Sequence, residues 1–398
     1  MRILQLCPKP PIPSLDGGCL AMNAMTQGFL SQGHSVKMLV VSTEKHPFKR
    51  EVLSSEYVNS TSIEAVELNT TLNPIDALKN LIQGKSYHIE RFYSQDFANK
   101  LVEILSTEKF DIIFIESLFL ASYANILKAN STAKLVLRAH NVEHCIWEGL
   151  AKESSSGIKK WYLSKLAAQL KEYESTVINN FNALITITAE DEATFIKLGT
   201  TIPTHTSPFG LEFTDINTET TNEVNHVFHF GSMDWKPNVQ GVEWLVKEVW
   251  PIVRKSMPEA LLVLAGRNMP DTFKTDLDQG IEVIGEVDSA AKFLSRPGIM
   301  TIPIHSGSGM RVKAIEGMSA GKPTVSTTIG VCGLGLTHGK HALISDSKSE
   351  FASSLVKLLK DPTLANDIGN SGRKHIHNNF SNKLIISDLT AFLDKKSP

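Results

Sequence analysis

Short, unbroken apolar runs alternate along this chain with longer segments whose apolar residues recur every three or four positions. The runs at 2–6, 35–41, 112–115, 134–137 and 183–187 have the length and β-branched content of buried strands. Helical periodicity follows at 20–32, 118–128, 158–180 and 190–198. Gly33 stands at the position where a left-handed residue ends a helix. A stretch at 208–225 is polar and rich in Thr, Asn and acidic residues, the composition of a linker. The alternation then restarts. Strands are predicted at 227–230, 260–265, 282–284, 300–304, 324–326 and 342–344, with helices at 239–253, 350–359 and 383–393. Strand–helix alternation of this kind builds parallel sheets with right-handed crossovers. The expected fold is α/β, with two Rossmann-like domains.

Composition narrows the class. The 398 residues are 42% apolar and 21% charged, with a formal net charge of −2. That suits a globular chain of two or three domains and gives no basic field for nucleic acid. The four cysteines, Cys7, Cys19, Cys145 and Cys332, show no Cys-x-x-Cys spacing and are read as buried thiols in a reducing compartment. The apolar start stops at Pro8, too short for a signal-peptide core, and the run at 112–127 carries Glu116. A cytoplasmic protein is expected, with contact at a membrane surface left open.

The densest chemistry lies at 306–323, SGSGMRVKAIEGMSAGKP. A strand feeds a glycine turn, and a helix is predicted from near Met310 to Gly321. Free backbone N–H groups and the peptide dipoles at such a start favour an anion. Ser308, Gly309 and Met310 would offer that backbone, Arg311 a forked cation and Lys313 a point charge. Glu316 can accept from hydroxyls. Together these groups suggest a nucleotide-sugar diphosphate site. The plainer alternative is a surface helix, since Lys313 and Glu316 are spaced for a solvated ion pair.

Other candidates follow strands, where ligands of open parallel sheets bind. Gly17-Gly18 allows close backbone approach, or simply a tight loop; it is not a dinucleotide fingerprint. His140 and Asn141 end the strand at 134–137, where a histidine can bond a sugar hydroxyl or serve structure alone. His140 and His144, four apart with Glu143 between them, have a spacing open to metal, but the segment follows a strand directly and no third ligand is evident, so no metal is expected. Lys236 and Asn238 follow the strand at 227–230, with Asn238 read as a helix N-cap. Gly266 and Val287 follow two further strands.

Glu316-Gly317-Met318-Ser319-Ala320-Gly321-Lys322-Pro323-Thr324-Val325 resembles the second half of a motif of glycosyltransferase family 4, the glycogen synthase-like superfamily of retaining GT-B enzymes. The family's first Glu falls on Ser308. Gly307-Ser308-Gly309-Met310-Arg311-Val312-Lys313 is similar to the Gly-Ser-Gly-x-Arg-x-Lys of a bacterial branch. The family's Gly-Arg-x-x-x-x-Lys is replaced by Ser232 and a loose match at Lys236. The resemblance implies the GT-B fold, with both sheets facing an interdomain cleft. It implies domains at 1–207 and 226–376, and a segment at 377–398 crossing back to the first. It also implies front-face transfer, of hexosyl type, from a nucleotide-diphosphate sugar to a glycan, lipid-linked or protein-linked acceptor, with retention. His140 would lie by the sugar, Glu316 on the ribose, Gly17-Gly18 by the sugar-phosphate, and Gly266 and Val287 by the base. Neither metal nor other cofactor is expected. Two rivals remain on the same fold: a nucleotide-sugar epimerase, and a nucleotide-sugar binding protein of weak activity.

Overall fold

The computed structural model describes residues 1–14, 16–71, 73–213, 226–307 and 310–394, and divides into two compact units. Most of the expected linker, along with Ser308 and Gly309, lies outside the described residues.

The first unit comprises residues 1–210 and 382–398. Its elements run β1 Arg2–Cys7, α1 Gly17–Ser31, β2 Ser35–Ser42, α2 Ser55–Thr61, β3 Glu64–Glu67, α3 Pro74–Ile82, α4 Tyr87–Glu90 and α5 Gln95–Thr107. They continue β4 Ile112–Glu116, α6 Ala124–Asn130, β5 Lys134–Ala139, α7 Glu143–Glu153, α8 Gly157–Val177, β6 Ala183–Thr186, α9 Ala189–Lys197 and β7 Thr204–Thr206. The strands form one parallel sheet, ordered β3-β2-β1-β4-β5-β6-β7. Every residue of β4 is buried, as the continuous apolar run requires of a strand covered on both faces. The strand order reverses between β1 and β4, which makes their carboxyl ends the ligand edge.

The second unit comprises residues 211–381. It runs β8 His226–Phe230, α10 Lys236–Trp244, a π-turn at Leu245–Val249 into α11 Trp250–Ser256, β9 Leu261–Ala265, β10 Ile281–Gly285 and α12 Ala290–Ser295. Then come β11 Ile299–Ile302, α13 Val312–Ser319, β12 Thr324–Ser326, β13 Leu343–Ile344, α14 Lys348–Lys360 and α15 Pro362–Phe380. The six strands are parallel in the order β10-β9-β8-β11-β12-β13, reversing between β8 and β11.

Three expectations need correction. The predicted loop at Gly17-Gly18 is the first turn of α1, because the Asp16 side chain caps that helix three residues earlier than its apolar period begins. Neither glycine has positive φ. The C-terminal crossing starts at Asn382, not at 377, because α15, capped by Asp361, continues the second unit to Phe380. Cys7 and Cys19 are buried, but Cys145 and Cys332 are exposed, one on the first turn of α7 and the other after a short turn at Ile329–Val331.

The last helix, α16 Asn382–Asp394, belongs to the first unit. Ile386, Leu389 and Leu393 join Ile3, Phe29 and Phe114 in one buried cluster. Asn382 Nδ2 donates to the Ala24 carbonyl at 2.8 Å, and Lys134 Nζ to that of Leu393 at 3.0 Å. A Cβ at Gly28 of α1 would stand 2.2 Å from Ile386 Cγ1. Gly28→Val should therefore overpack this seam and lower stability by about 1–3 kcal/mol in urea unfolding. Unchanged stability would show that α16 is not held against α1.

Candidate functional site

In the first unit the candidate residues are organised by a carboxylate. Glu116 ends β4 and has no exposed surface. Its Oε2 meets His140 Nε2 at 2.7 Å and Arg138 Nη1 at 3.2 Å, while Oε1 accepts from Gln5 Nε2 at 3.0 Å. Thr26 Oγ1 of α1 donates to Gln5 Oε1 at 2.8 Å, and Arg138 Nη1 also reaches the Ala21 carbonyl at 3.3 Å. Burial alone would raise the Glu116 carboxyl. The Arg138 guanidinium and the bonds from His140 and Gln5 outweigh it and hold the group below the ordinary carboxylate range. With Glu116 ionised, Nε2 of His140 carries a proton, and no bond to its Nδ1 is made among the described residues. The next residue, Ser117, has φ 92°, a conformation costing a non-glycine on the order of 1–3 kcal/mol. Glu116, Gln5, Arg138 and Thr26 were not predicted as site residues. The available signal was a pair of opposite charges at or next to the carboxyl ends of two mainly apolar strands.

Gly17 and Gly18 lie at the same edge, after β1. Asp16 Oδ1 accepts from the Cys19 N–H at 2.9 Å and Oδ2 from Lys9 Nζ at 2.6 Å. A Cβ on Gly18 would come within 3.3 Å of both Lys9 Nζ and Asp16 Oδ1, so a small residue leaves room for that pair.

His140 and His144 turn to different carboxylates. His144 Nδ1 meets Glu174 Oε2 at 2.5 Å. Glu174, fully buried in α8, also accepts the N–H groups of Glu143 and His144 at 2.8 and 3.2 Å and so caps the start of α7. Asn141 is half-buried in the preceding bend. Glu143 is buried, and its carboxyl is pushed up to about 7 by burial and the Glu174 charge, against a bond from Asn141. Its place at the helix start favours the ionised form by only about 0.3–1 kcal/mol, too little to reverse this.

In the second unit the loops after β8, β9 and β10 are stitched together. Gly231 N–H donates to the Ala265 carbonyl at 3.1 Å and Gly266 N–H to that of Gly285 at 2.7 Å. Gly266 has φ 151°, and a Cβ there would stand 1.7 Å from the Gly231 oxygen, so only glycine fits. Val287 is half-buried just beyond β10. Asp234 is occupied by Ser232 Oγ at 2.9 Å and Asn268 Nδ2 at 2.6 Å. The expected cap at Asn238 is a correction. Trp235 is the N-cap residue, Lys236 is exposed at the first helical position, and Asn238 donates from inside the first turn to the Ser232 carbonyl at 2.7 Å.

Arg311 and Lys313 differ in their surroundings. Arg311 precedes α13 as its N-cap residue, rather than lying in the first helical turn as predicted, and Met310 is half-buried before it. The Arg311 guanidinium carbon lies 4.4 Å from the Trp235 ring centroid, and Nη2 donates to the Gly307 carbonyl at 3.1 Å. Gly307 has φ 100°, and a Cβ there would be 2.6 Å from the Trp235 ring. Burial brings Arg311 down to about 10 against the Cys332 thiol, so it remains a cation at neutral pH. Lys313 Nζ pairs with Glu316 Oε2 at 2.7 Å and lies 4.8 Å from the Phe230 ring centroid. The ion pair that spacing allowed is therefore formed, at the carboxyl end of β8. Trp235 is the platform for Arg311.

Residues 224–361 match the family model described as "Glycosyl transferases group 1". A relative from Klebsiella pneumoniae, described as an uncharacterized 44.6 kDa protein in the cps region, is 24% identical over 98% of each chain. Sucrose-phosphate synthase from Thermosynechococcus elongatus superposes with a TM-score of 0.69 at 15% identity over 98% of each chain. Anabaena HepE in complex with UDP gives 0.67 at 14% over 100% of each. The fold is GT-B, two parallel-sheet α/β domains of seven and six strands. The family-model match and the shared fold support a glycosyltransferase.

Glu143 makes stability depend on pH. Its folded value of about 7 lies above the ordinary 4.5, so between those values the folded chain keeps a proton that the unfolded chain has released. Its contribution is full below about pH 4.5 and is lost as pH rises through 7. Glu143→Gln should gain on the parent by up to about 3 kcal/mol between pH 4.5 and 8, measured by urea unfolding. Parallel pH profiles would show that Glu143 is not buried as an acid.

Proposed function

We propose that this chain is a retaining, metal-independent glycosyltransferase that moves a hexosyl group from a nucleoside-diphosphate sugar to a glycan, lipid-linked or protein-linked acceptor. The observation that carries the reading is the Arg311–Trp235 and Lys313–Glu316 group at the strand ends of the unit that matches the glycosyltransferase model. Anabaena HepE, with the same fold, is a complex with UDP. Arg311 and Lys313 would stabilise the leaving diphosphate through charge-assisted bonds. Glu316 would exchange Lys313 for ribose hydroxyls, and Gly266 and Val287 would border the base. Gly17 and Gly18 would allow close approach of the sugar-phosphate, and Ser308, Gly309 and Met310 would complete the phosphate contacts.

The chemistry is front-face substitution. The bond from the anomeric carbon to the phosphate oxygen breaks as the acceptor oxygen bonds on the same face, and the leaving phosphate takes the acceptor proton. His140, oriented by Glu116, would bond a hydroxyl of the sugar in transit, with Asn141 beside it. No metal enters this scheme, because the cations are side chains.

A panel of nucleotide sugars tests the reading. Transfer or slow donor hydrolysis that survives excess chelator is expected. Isomerisation of the donor would identify an epimerase instead, and binding without turnover would identify a binding protein. His140→Ala should lower turnover at least about tenfold, roughly 1.4 kcal/mol of transition-state stabilisation, with donor affinity little changed. Intact turnover with lost donor binding would contradict this division of roles.

A further inference from the structure

We propose that the tip of the α7–α8 hairpin is a docking surface for an anionic lipid bilayer. Three large apolar side chains are exposed there: Leu150 at 45%, Ile158 at 84% and Trp161 at 61%. Ile158, Trp161 and Lys165 follow the spacing of one helical face, opposite the buried Leu163, Leu166, Ala167 and Leu170. They are therefore not the core stripe of α8 but its outward side. Lys159 and Lys160 are exposed beside them. From 154 to 171 the chain carries four lysines and no Asp or Glu, in a protein whose net charge is −2. An indole and a long aliphatic side chain ringed by lysine is the combination that partitions into a headgroup layer of negative charge.

The placement agrees with this. α7 starts four residues after Ala139, at the carboxyl edge of the first sheet, and Glu174 fixes α8 to that start. Ile158 precedes Glu174 by sixteen residues, about 24 Å of helix. The tip is thus well removed from Glu116 and His140, and its exposed apolar residues serve neither. At the end of α3, Ile82 is also exposed, at 79%, and the neighbouring Leu81 carbonyl accepts from Gln169 of α8 at 3.3 Å. Among the described residues no helix is long and apolar enough to cross a membrane, so attachment through this tip would be peripheral.

A second copy of the chain fits less well. A twofold contact through the tip would set the lysines of α8 against one another, with Glu148 and Glu153 of α7 the carboxylates nearest in sequence. A nucleic acid would use the lysines but not the bare Ile158 and Trp161. Docking selects, among the acceptor classes above, one anchored in a membrane. That selection rests on the transferase reading, whereas vesicle binding is measured without any transfer assay, so the two fail separately.

The test is co-sedimentation of the full chain with vesicles of phosphatidylcholine alone or mixed with phosphatidylglycerol, at low and high salt. Binding to the mixed vesicles at low salt is expected, with at least tenfold weaker binding to phosphatidylcholine and a loss with salt. Ile158→Ser with Trp161→Ser, and separately Lys159→Ser, Lys160→Ser and Lys165→Ser together, should each weaken binding at least fivefold. Circular dichroism melts should match those of the parent, since all five side chains are exposed. Failure of the parent to bind mixed vesicles overturns the proposal. So does unchanged binding by the Ile158/Trp161 variant, which would leave only a polyanion patch. A dimer of the parent that the same variant dissociates, seen by light scattering, would assign the tip to a second copy and overturn it too.

Discussion

A carboxylate with no exposed surface governs the ligand edge of the first sheet. Glu116 ties together Gln5 of β1, Arg138 of β5 and His140 beyond it, and through Gln5 reaches Thr26 of α1. Moving a carboxylate and a guanidinium out of water costs several kcal/mol per ion, a cost that pairing only partly offsets. An apolar pair of similar volume would hold the strands as well. What the charged arrangement adds is position: it sits where the strand order reverses, and it fixes one nitrogen of a histidine at the sheet's carboxyl end. The strained Ser117 beside it fits the same account, because strain of that size persists only where the surroundings over-determine it.

The second unit reaches a comparable result by different means. Its principal cation is held by ring stacking and a backbone carbonyl, with Arg311 and Trp235 both packed against the chain at Gly307. Partial burial lowers Arg311 without neutralising it. A guanidinium already desolvated on an indole has little left to lose when it meets an anion, and the planar fork is pre-organised. Lys313 is instead neutralised by Glu316. Arg311 is therefore the stronger candidate for a diphosphate, and Lys313 becomes available only when Glu316 takes another partner.

The sequence made the sheets legible, because buried parallel strands are continuous apolar runs and those runs are local. Elements without such runs were lost. β3 is half-exposed at the sheet edge, β7 is three residues long, and α15 is a helix whose polar residues hide its buried face. Gly307, Arg311, Lys313 and Glu316 were visible as a motif, while the partner that decides their environment was not. Trp235 reaches Arg311 across more than seventy residues, and only folding brings them together. Glu116 failed for another reason. A charge at the end of an apolar run reads as an interruption, and its meaning appears once β5 lays Arg138 beside it in register.

The most direct test is calorimetric titration of the full chain and of Arg311→Ala with a nucleoside diphosphate and with the corresponding free nucleoside. The account predicts that the variant loses about 1.5–3 kcal/mol of diphosphate affinity, roughly ten- to a hundredfold, while nucleoside binding is little changed. Equal losses for both ligands, or none for either, would contradict the assignment of this cation to a diphosphate and with it the central reading of the second unit.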